Sequence, residues 1–117
     1  MIKPQRGEIW LVDLNPTRGQ EIQKTRPVIV ISTNLFSPIP LRIIIPITSW
    51  QEKFNTRPFM LKIDAGHDNQ LTQDSAANVL QIRSISTERF IKKIGIISDN
   101  TMKQILALLL VCTEFEP

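Results

Sequence analysis

Apolar residues along this chain fall into short runs separated by polar segments, a pattern typical of proteins built mainly from β-strands. Five or six short strands are predicted, within residues 8–14, 27–32, 41–48, 59–64, 78–85 and 90–97. The unbroken aliphatic stretch 28–31 predicts that the second strand is buried on both faces. Pro46 lies inside the third run and predicts a bulge or an edge strand, because proline cannot donate a hydrogen bond to a ladder.

The end of the chain follows the period of an α-helix instead. Ser98 or Asp99 can cap this helix, whose apolar positions at helical spacing are Met102, Ile105, Leu106 and Leu109. More apolar residues cover its other faces, so it should be buried by more than one neighbour; they are Leu108, Leu110 and Val111. We predict one domain over residues 1–117, mainly β with a C-terminal α-helix that caps a small barrel or curled sheet.

The composition is that of an ordinary globular protein, with 42% hydrophobic and 21% charged residues. The longest apolar run, 106–112, is too short to cross a bilayer, and the N-terminus shows no signal-like stretch, so a cytoplasmic location is predicted. Cys112 is the single cysteine, which excludes an intramolecular disulfide and a cysteine-based zinc site. A net charge of +3 permits an anionic partner, but only a folded surface could gather the scattered basic residues.

The common catalytic motifs are absent from the sequence. His67 is the only histidine, and the chain has neither a phosphate-binding glycine loop nor histidines and carboxylates at metal-ligand spacing. We therefore predict no cofactor and no metal site. The remaining candidates for chemistry are polar residues at the ends of predicted strands.

Arg26 stands where the second predicted strand begins, and Thr48 and Ser49 stand where the third one ends. If these strands are antiparallel neighbours, the two ends lie at the same rim. Other polar residues could join them, namely Arg18, Gln20, Glu21 and Lys24 of the loop 15–25, and Gln81 and Arg83 on one face of the fifth strand. From spacing alone, surface ion pairs and strand-end caps are the favoured explanation of the same residues.

Residues 6–32, RGEIWLVDLNPTRGQEIQKTRPVIVIS, resemble the opening of the MazF/PemK toxins, the ribonuclease halves of bacterial toxin–antitoxin pairs. PITS at 46–49 and LQIRSI at 80–85 follow in the order and spacing of that family, and residues 99–113 stand where its closing helix should be. The resemblance covers essentially the whole chain. Its specific features are the Arg-Gly-Glu opening, the Gly-x-Glu of the loop and the Arg-Pro strand start.

The resemblance implies an SH3-like barrel, a homodimer, and sequence-specific, metal-independent cleavage of single-stranded RNA by attack of the ribose 2′-OH. It also implies catalytic roles for Arg26 and Thr48. A further implied partner is a cognate antitoxin with an acidic C-terminal tail, and the toxin would contact DNA only through this antitoxin. Some relatives use an arginine and an aspartate on the fifth strand as acid and base. The matching positions here are Asn78 and Leu80, so that arrangement is not expected in this chain.

The residue chemistry suits the implied roles. The guanidinium of Arg26 can fork onto phosphate oxygens, whereas Thr48 is too weak a base and is expected to align the 2′-OH by a hydrogen bond. Trp50 and Phe54 either stack on unpaired bases or pack the loops. Two other functions stay open, which are a toxin of the same fold that poisons a protein such as DNA gyrase, and a noncatalytic RNA-binding barrel.

Overall fold

The computed structural model describes residues 2–21 and 24–115, and within them it contains seven strands and one α-helix. The strands are β1 (Glu8–Asp13), β2 (Thr25–Val30), β3 (Leu41–Ser49), β4 (Met60–Ile63), β5 (Ser75–Asn78), β6 (Arg83–Ser86) and β7 (Phe90–Ile96), and the helix is α1 (Asp99–Cys112). Short 3₁₀-helices lie at Asn34–Phe36, Glu52–Thr56, Val79–Gln81 and Thr87–Arg89. The predicted fold class, mainly β with a C-terminal α-helix, is confirmed.

β3 is the central strand of an antiparallel sheet. One edge of β3 pairs with β2, and the sheet continues from β2 to β1 and then to β7. The opposite edge is shared, because residues 41–44 pair with β6 and residues 47–49 pair with β5, which in turn pairs with β4. The sheet therefore divides into two parts that have β3 in common.

Pro46 lies where this shared edge changes partners. It stands opposite Val28 of β2, while on the other edge neither Ile45 nor Pro46 pairs with β5 or β6. The prediction of a bulge or an edge strand is wrong, because β3 is an interior strand with a regular register against β2. The proline is tolerated because the ladder on one edge is already interrupted at this point.

Residues 78–85 do not form one strand, contrary to the sequence prediction. β5 ends at Asn78, the 3₁₀-helix Val79–Gln81 follows, and β6 begins at Arg83. The cause is the shared edge of β3, since β5 pairs with its second part and β6 with its first, so the chain must turn between them. Gln81 and Arg83 therefore do not share one face of a strand.

β2 separates two hydrophobic clusters, as its unbroken aliphatic run predicts. Ile29 belongs to a cluster that includes Met102 and Ile105 of α1. Val28 and Val30 belong to a second cluster with side chains of β1, β3 and β7. All three β2 residues are fully buried, so the prediction that both faces of this strand are covered is confirmed.

α1 begins as predicted, because the Ser98 hydroxyl accepts a hydrogen bond from the backbone N–H of Thr101 at 3.1 Å. The helix packs against more than one neighbour, as predicted, because it contacts both β4 and the Val79–Gln81 3₁₀-helix. Its cover is incomplete, however, because Leu110 at 44% and Val111 at 67% exposure are left uncovered within the described chain. The described chain packs one side of α1 against the sheet and leaves the other side open.

The Arg-Gly-Glu opening is a structural element that joins the N-terminus to the sheet. Gly7 has a φ of 89°, donates to Val30 O at 2.8 Å and accepts from the N–H of Ile97 at 2.9 Å. The Glu8 carboxylate pairs with Lys93 Nζ at 2.9 Å. Burial raises the pKa of Glu8, but its bonds with Lys93 and two N–H donors outweigh this effect, so the pKa is lowered.

Gly95 of β7 provides a test of how closely this strand packs against the backbone of Asn69. A Cβ at Gly95 would lie 2.5 Å from Asn69 O, a backbone atom that cannot move aside easily. We expect Gly95→Ala to lower the free energy of unfolding by about 1–3 kcal/mol or more, measured by chemical denaturation. Gly66→Ala is the matched control, because its nearest atom is Asn69 Nδ2 at 3.9 Å, and it should change stability by less than about 0.5 kcal/mol. Equal stabilities of the two variants would contradict this packing.

Candidate active site

Arg26 and Thr48 lie side by side on neighbouring strands. β2 and β3 pair with Val28 opposite Pro46, and continuing this antiparallel register by two residues brings Arg26 opposite Thr48. Both residues are half-buried, and both line the same two cavities. The backbone of Arg26 also pairs with Val12 of β1, so both side chains extend from strands that are held by neighbours.

The first of these cavities has a volume of about 370 Å³, and we call it the cationic cavity. Its charged lining residues are Arg26, Lys53, Arg57 and Glu21. Three cations thus face the same space as a single carboxylate. The fold gathers basic residues that are far apart in the sequence, which is the condition for binding an anionic partner.

The loop beside β2 is attached to the cationic cavity. Gln81 Nε2 donates to the backbone oxygen of Gln20 at 3.0 Å, and both residues line the cavity. Within the loop, the backbone N–H of Arg18 donates to the Glu21 carboxylate at 2.5 Å. Residues 20 and 21 are therefore held beside Arg26 and Thr48, as their sequence positions suggest.

The second cavity, of about 190 Å³, lies on another side of the Arg26–Thr48 pair, and we call it the hydroxyl-lined cavity. Ser49, Thr72 and Ser75 supply hydroxyl groups to its lining. Gln73 Nε2 donates to Ser49 Oγ at 2.6 Å and so links the end of β3 to the residues before β5. Among the described residues that line this cavity, Arg26 is the only charged one.

Residues 5–112 match the family described as PemK-like, MazF-like toxin of type II toxin–antitoxin system. The chain belongs to this family. A relative in it is endoribonuclease MazF9 of Mycobacterium tuberculosis, which is 36% identical over 107 residues that cover 86% of this chain and 88% of that protein. The family resemblance found in the sequence is confirmed.

Solved structures show that the toxin has the fold of MazF proteins. MazF from Deinococcus radiodurans has a TM-score of 0.81, with 98% of this chain and 100% of that chain covered at 18% identity. An endoribonuclease in complex with its cognate antitoxin, from mycobacterial species, has a TM-score of 0.74 with 97% and 98% covered, also at 18% identity. At such low identity these likenesses concern the fold alone.

The toxin brings together some of the predicted site residues and leaves others apart. Gln20, Glu21 and Gln81 share the cationic cavity with Arg26 and Thr48, and Ser49 lies in the hydroxyl-lined cavity. Arg83 lines a third cavity of about 400 Å³, together with Gln20, Glu21 and Gln81. This cavity lies beside Pro46, where the pairing along one edge of β3 is interrupted. The linings of all three cavities lack Arg18, Lys24 and Trp50.

Trp50 and Phe54 pack against each other. Their ring centroids lie 5.6 Å apart in an edge-to-face arrangement, and Lys62 Nζ lies 5.4 Å from the centre of the Trp50 ring. Phe54 is only 5% exposed, so its ring packs the Glu52–Thr56 helix, as one of the two alternatives predicts. Trp50 stays half-exposed at the end of β3.

Sequence reasoning missed Lys53 and Arg57, and it considered Asn78 only as the position of a lost acid–base group. Lys53 and Arg57 flank Phe54 in the loop that follows Thr48, which is the only sequence signal that could have indicated them. Asn78 gives no such signal, because its place in the cavity depends on where β5 ends.

Between residues 2 and 115, apart from Ile22 and Gln23, no three His, Cys, Asp or Glu side chains come close enough to hold a metal ion. In the same part of the chain, no helix has the length and apolar character needed to cross a membrane.

Proposed function

We propose that this toxin is an endoribonuclease that cleaves single-stranded RNA, with Arg26 and Thr48 at its catalytic centre. The observation that carries the proposal is the position of these two side chains, which come from different strands and lie between two cavities. Such a site can hold a phosphate between Arg26 and Thr48, with parts of the two neighbouring nucleotides in the cavities on either side of these residues. The activity in the name of the related MazF9 supports the same conclusion.

The nucleophile of the proposed reaction is the ribose 2′-OH of the RNA. Its oxygen loses a proton and bonds to phosphorus, while the bond from phosphorus to the 5′-oxygen of the next nucleotide breaks and that oxygen takes up a proton. The products are a 2′,3′-cyclic phosphate and a 5′-hydroxyl. The Arg26 fork stabilises the charge on the phosphoryl oxygens. Thr48 aligns the 2′-OH by a hydrogen bond, since its own hydroxyl is hardly ionised and is too weak a base to take the proton.

The other predicted residues contact the RNA on either side of the cleaved phosphodiester bond. Those that line the cavities are Gln20, Glu21 and Gln81 in the cationic cavity, Ser49 in the hydroxyl-lined cavity and Arg83 in the third cavity. RNA that extends beyond these cavities is contacted by Arg18, Lys24 and Trp50. The substrate is single-stranded, because the deep groove of A-form RNA hides the base edges that a sequence-specific enzyme must reach.

The toxin acts as one member of a pair in the cytoplasm. A cognate antitoxin inhibits it, and its acidic C-terminal tail suits the net positive charge of the toxin. The complex of an endoribonuclease with its cognate antitoxin among the structural relatives supports this partner. Contact with DNA occurs only through the antitoxin, and the toxin itself is a single domain that works as a homodimer without a cofactor.

Arg26→Ala tests the catalytic role most directly. The variant lacks both the charge and the fork, so single-turnover cleavage of a short RNA should slow by about 10²–10³-fold, as when one oxyanion donor is lost. Arg26→Lys keeps only the charge and should stay impaired, and Thr48→Ala should show a smaller loss. All three variants should unfold near the wild-type temperature. If Arg26→Ala cleaves within a few-fold of wild type, Arg26 is not catalytic.

Substrate chemistry tests the nucleophile separately from the protein. An RNA with a single 2′-deoxyribose on the 5′ side of the cut lacks the attacking oxygen, so it should bind but remain intact, whereas the matched all-ribose RNA is cut. The 5′ fragment of the cut RNA should end in a cyclic phosphate or 3′-phosphate by mass spectrometry. Cleavage of the 2′-deoxy substrate at the normal rate would exclude attack by the 2′-OH.

The homodimer is proposed to form through the surface of the β2–β3 connection and the start of β3, which is apolar and exposed. Phe36, Ile39, Leu41 and Ile43 are 42–62% exposed and line one shallow cavity. Sedimentation should give about twice the chain mass of 13.4 kDa, and Ile43→Glu should shift the equilibrium towards monomer by placing a charge in the interface. Leu110→Glu on the open face of α1 is the control. If Leu110→Glu dissociates the dimer and Ile43→Glu does not, the interface lies on α1 and not on this surface.

A further inference from the structure

The wall of the cationic cavity formed by the Glu52–Thr56 helix and the residue after it carries two cations beside a buried ring. The Arg57 guanidinium lies 5.7 Å and Lys53 Nζ 6.0 Å from the centre of the buried Phe54 ring. The N–H of Arg57 also donates to Phe54 O at 2.9 Å. Within residues 2–21 and 24–115, neither cation forms an ion pair with a carboxylate. Their charges therefore remain available to an anion that enters the cavity.

Asn78 is a second, independent observation in the same cavity. It is the last residue of β5 and is only 5% exposed, and its Oδ1 has no hydrogen-bond partner among the described residues. A buried amide oxygen without a partner is unfavourable, and such groups in folded proteins usually meet a water or a ligand. An asparagine side chain offers both a donor and an acceptor, which is what the edge of a nucleobase requires.

We propose that the cationic cavity is a subsite for the nucleotide next to the scissile phosphate, in which Asn78 hydrogen-bonds to the edge of the base while Lys53 and Arg57 hold its phosphate. This inference rests on the proposed endoribonuclease function. Arg26 and Thr48 already account for the scissile phosphate, so the two further cations of residues 53–57 fit a second phosphate of the same RNA. Asn78 is a specificity-determining residue of the toxin in this arrangement.

The neutral polar lining of the cavity favours a nucleotide over an acidic peptide. Gln20, Gln81 and Asn78 are amides, and Glu21 is a carboxylate; all four are residue types that bind base edges. Glu21 accepts from the amino group of a base, but it would repel the carboxylates of an acidic tail. The volume of about 370 Å³ lies in the range of small-ligand sites.

The phosphate contacts are tested by binding, without cleavage. A fluorescent RNA that contains 2′-deoxyribose at the cut site is titrated with Lys53→Ala, Arg57→Ala and the double variant at several salt concentrations. Each lost contact should weaken binding roughly tenfold and lower the slope of log affinity against log salt by about 0.7. Lys103→Ala, on the exposed side of α1, is the control and should match wild type. A double variant with wild-type affinity and slope overturns the subsite.

The base contact is tested by the sequences that the toxin cuts. Wild type, Asn78→Ala and the near-isosteric Asn78→Asp are given a randomised RNA pool, and the new 5′-hydroxyl ends are sequenced. We expect both variants to change the preference for one base at a single position beside the cut, by roughly five- to a hundredfold. Because Oδ1 has no protein partner, Asn78→Ala should unfold near the wild-type temperature. Unchanged base preference, with or without lower stability, overturns the role of Asn78.

The outcomes separate this inference from the function on which it rests. If wild type cuts the RNA pool and the variants have the same RNA affinity and base preference as wild type, the subsite is wrong. The proposed endoribonuclease function is then unaffected. If wild type neither binds nor cuts RNA, the proposed function fails and the subsite with it. A short poly-glutamate peptide serves as a competing probe. If the double variant loses binding of this peptide but keeps RNA affinity, the cavity belongs to an acidic partner and the inference is wrong.

Discussion

The sharing of one edge of β3 between β5 and β6 is the constraint on which the site depends. Since β6 pairs with residues 41–44 and β5 with residues 47–49, the ladder is interrupted at Ile45 and Pro46. The chain that links β5 to β6 must cross this gap, and it does so as the 3₁₀-helix Val79–Gln81. That turn lines the third cavity, and its last residue, Gln81, lines the cationic cavity and holds Gln20 of the loop. The interruption of a ladder thus creates the space in which the site is built.

The part of the site that the sequence predicts is the part that depends on local backbone rules. Arg26 before Pro27 must be extended, and the aliphatic run that follows must be a buried strand, so the place of Arg26 at a rim follows from steric and hydrophobic arguments. Thr48 ends the next apolar run, and antiparallel pairing of consecutive strands is common enough to bring the two together. The fold class follows from the same periodicities and from the helical spacing after Ser98.

The parts that could not be predicted depend on pairing between distant segments. Residues 78–85 have the composition of one strand, and only the competition of two strands for one edge of β3 divides them. Lys53 and Arg57 lie in a polar segment without periodicity, and only the burial of Phe54 between them fixes where their charges lie. Local patterns contain no information on such contacts, because the same residues would be unremarkable in a solvated loop.

The charge distribution explains how a chain with a modest net charge can hold an anionic polymer. The 14 basic residues are scattered in the sequence, and the net charge is only +3, so no long-range attraction of the whole molecule is needed. The cationic cavity instead combines three cations, from β2, the Glu52–Thr56 helix and the residue after that helix, with one described carboxylate. The hydroxyl-lined cavity shares only Arg26 and Thr48 with it and otherwise offers neutral groups. An RNA strand bound as proposed would therefore meet charge on one side of the Arg26–Thr48 pair and hydroxyl groups on the other. The proposed in-line attack of a 2′-OH on the adjacent phosphorus requires one fixed direction of the RNA, and this asymmetry distinguishes the two directions.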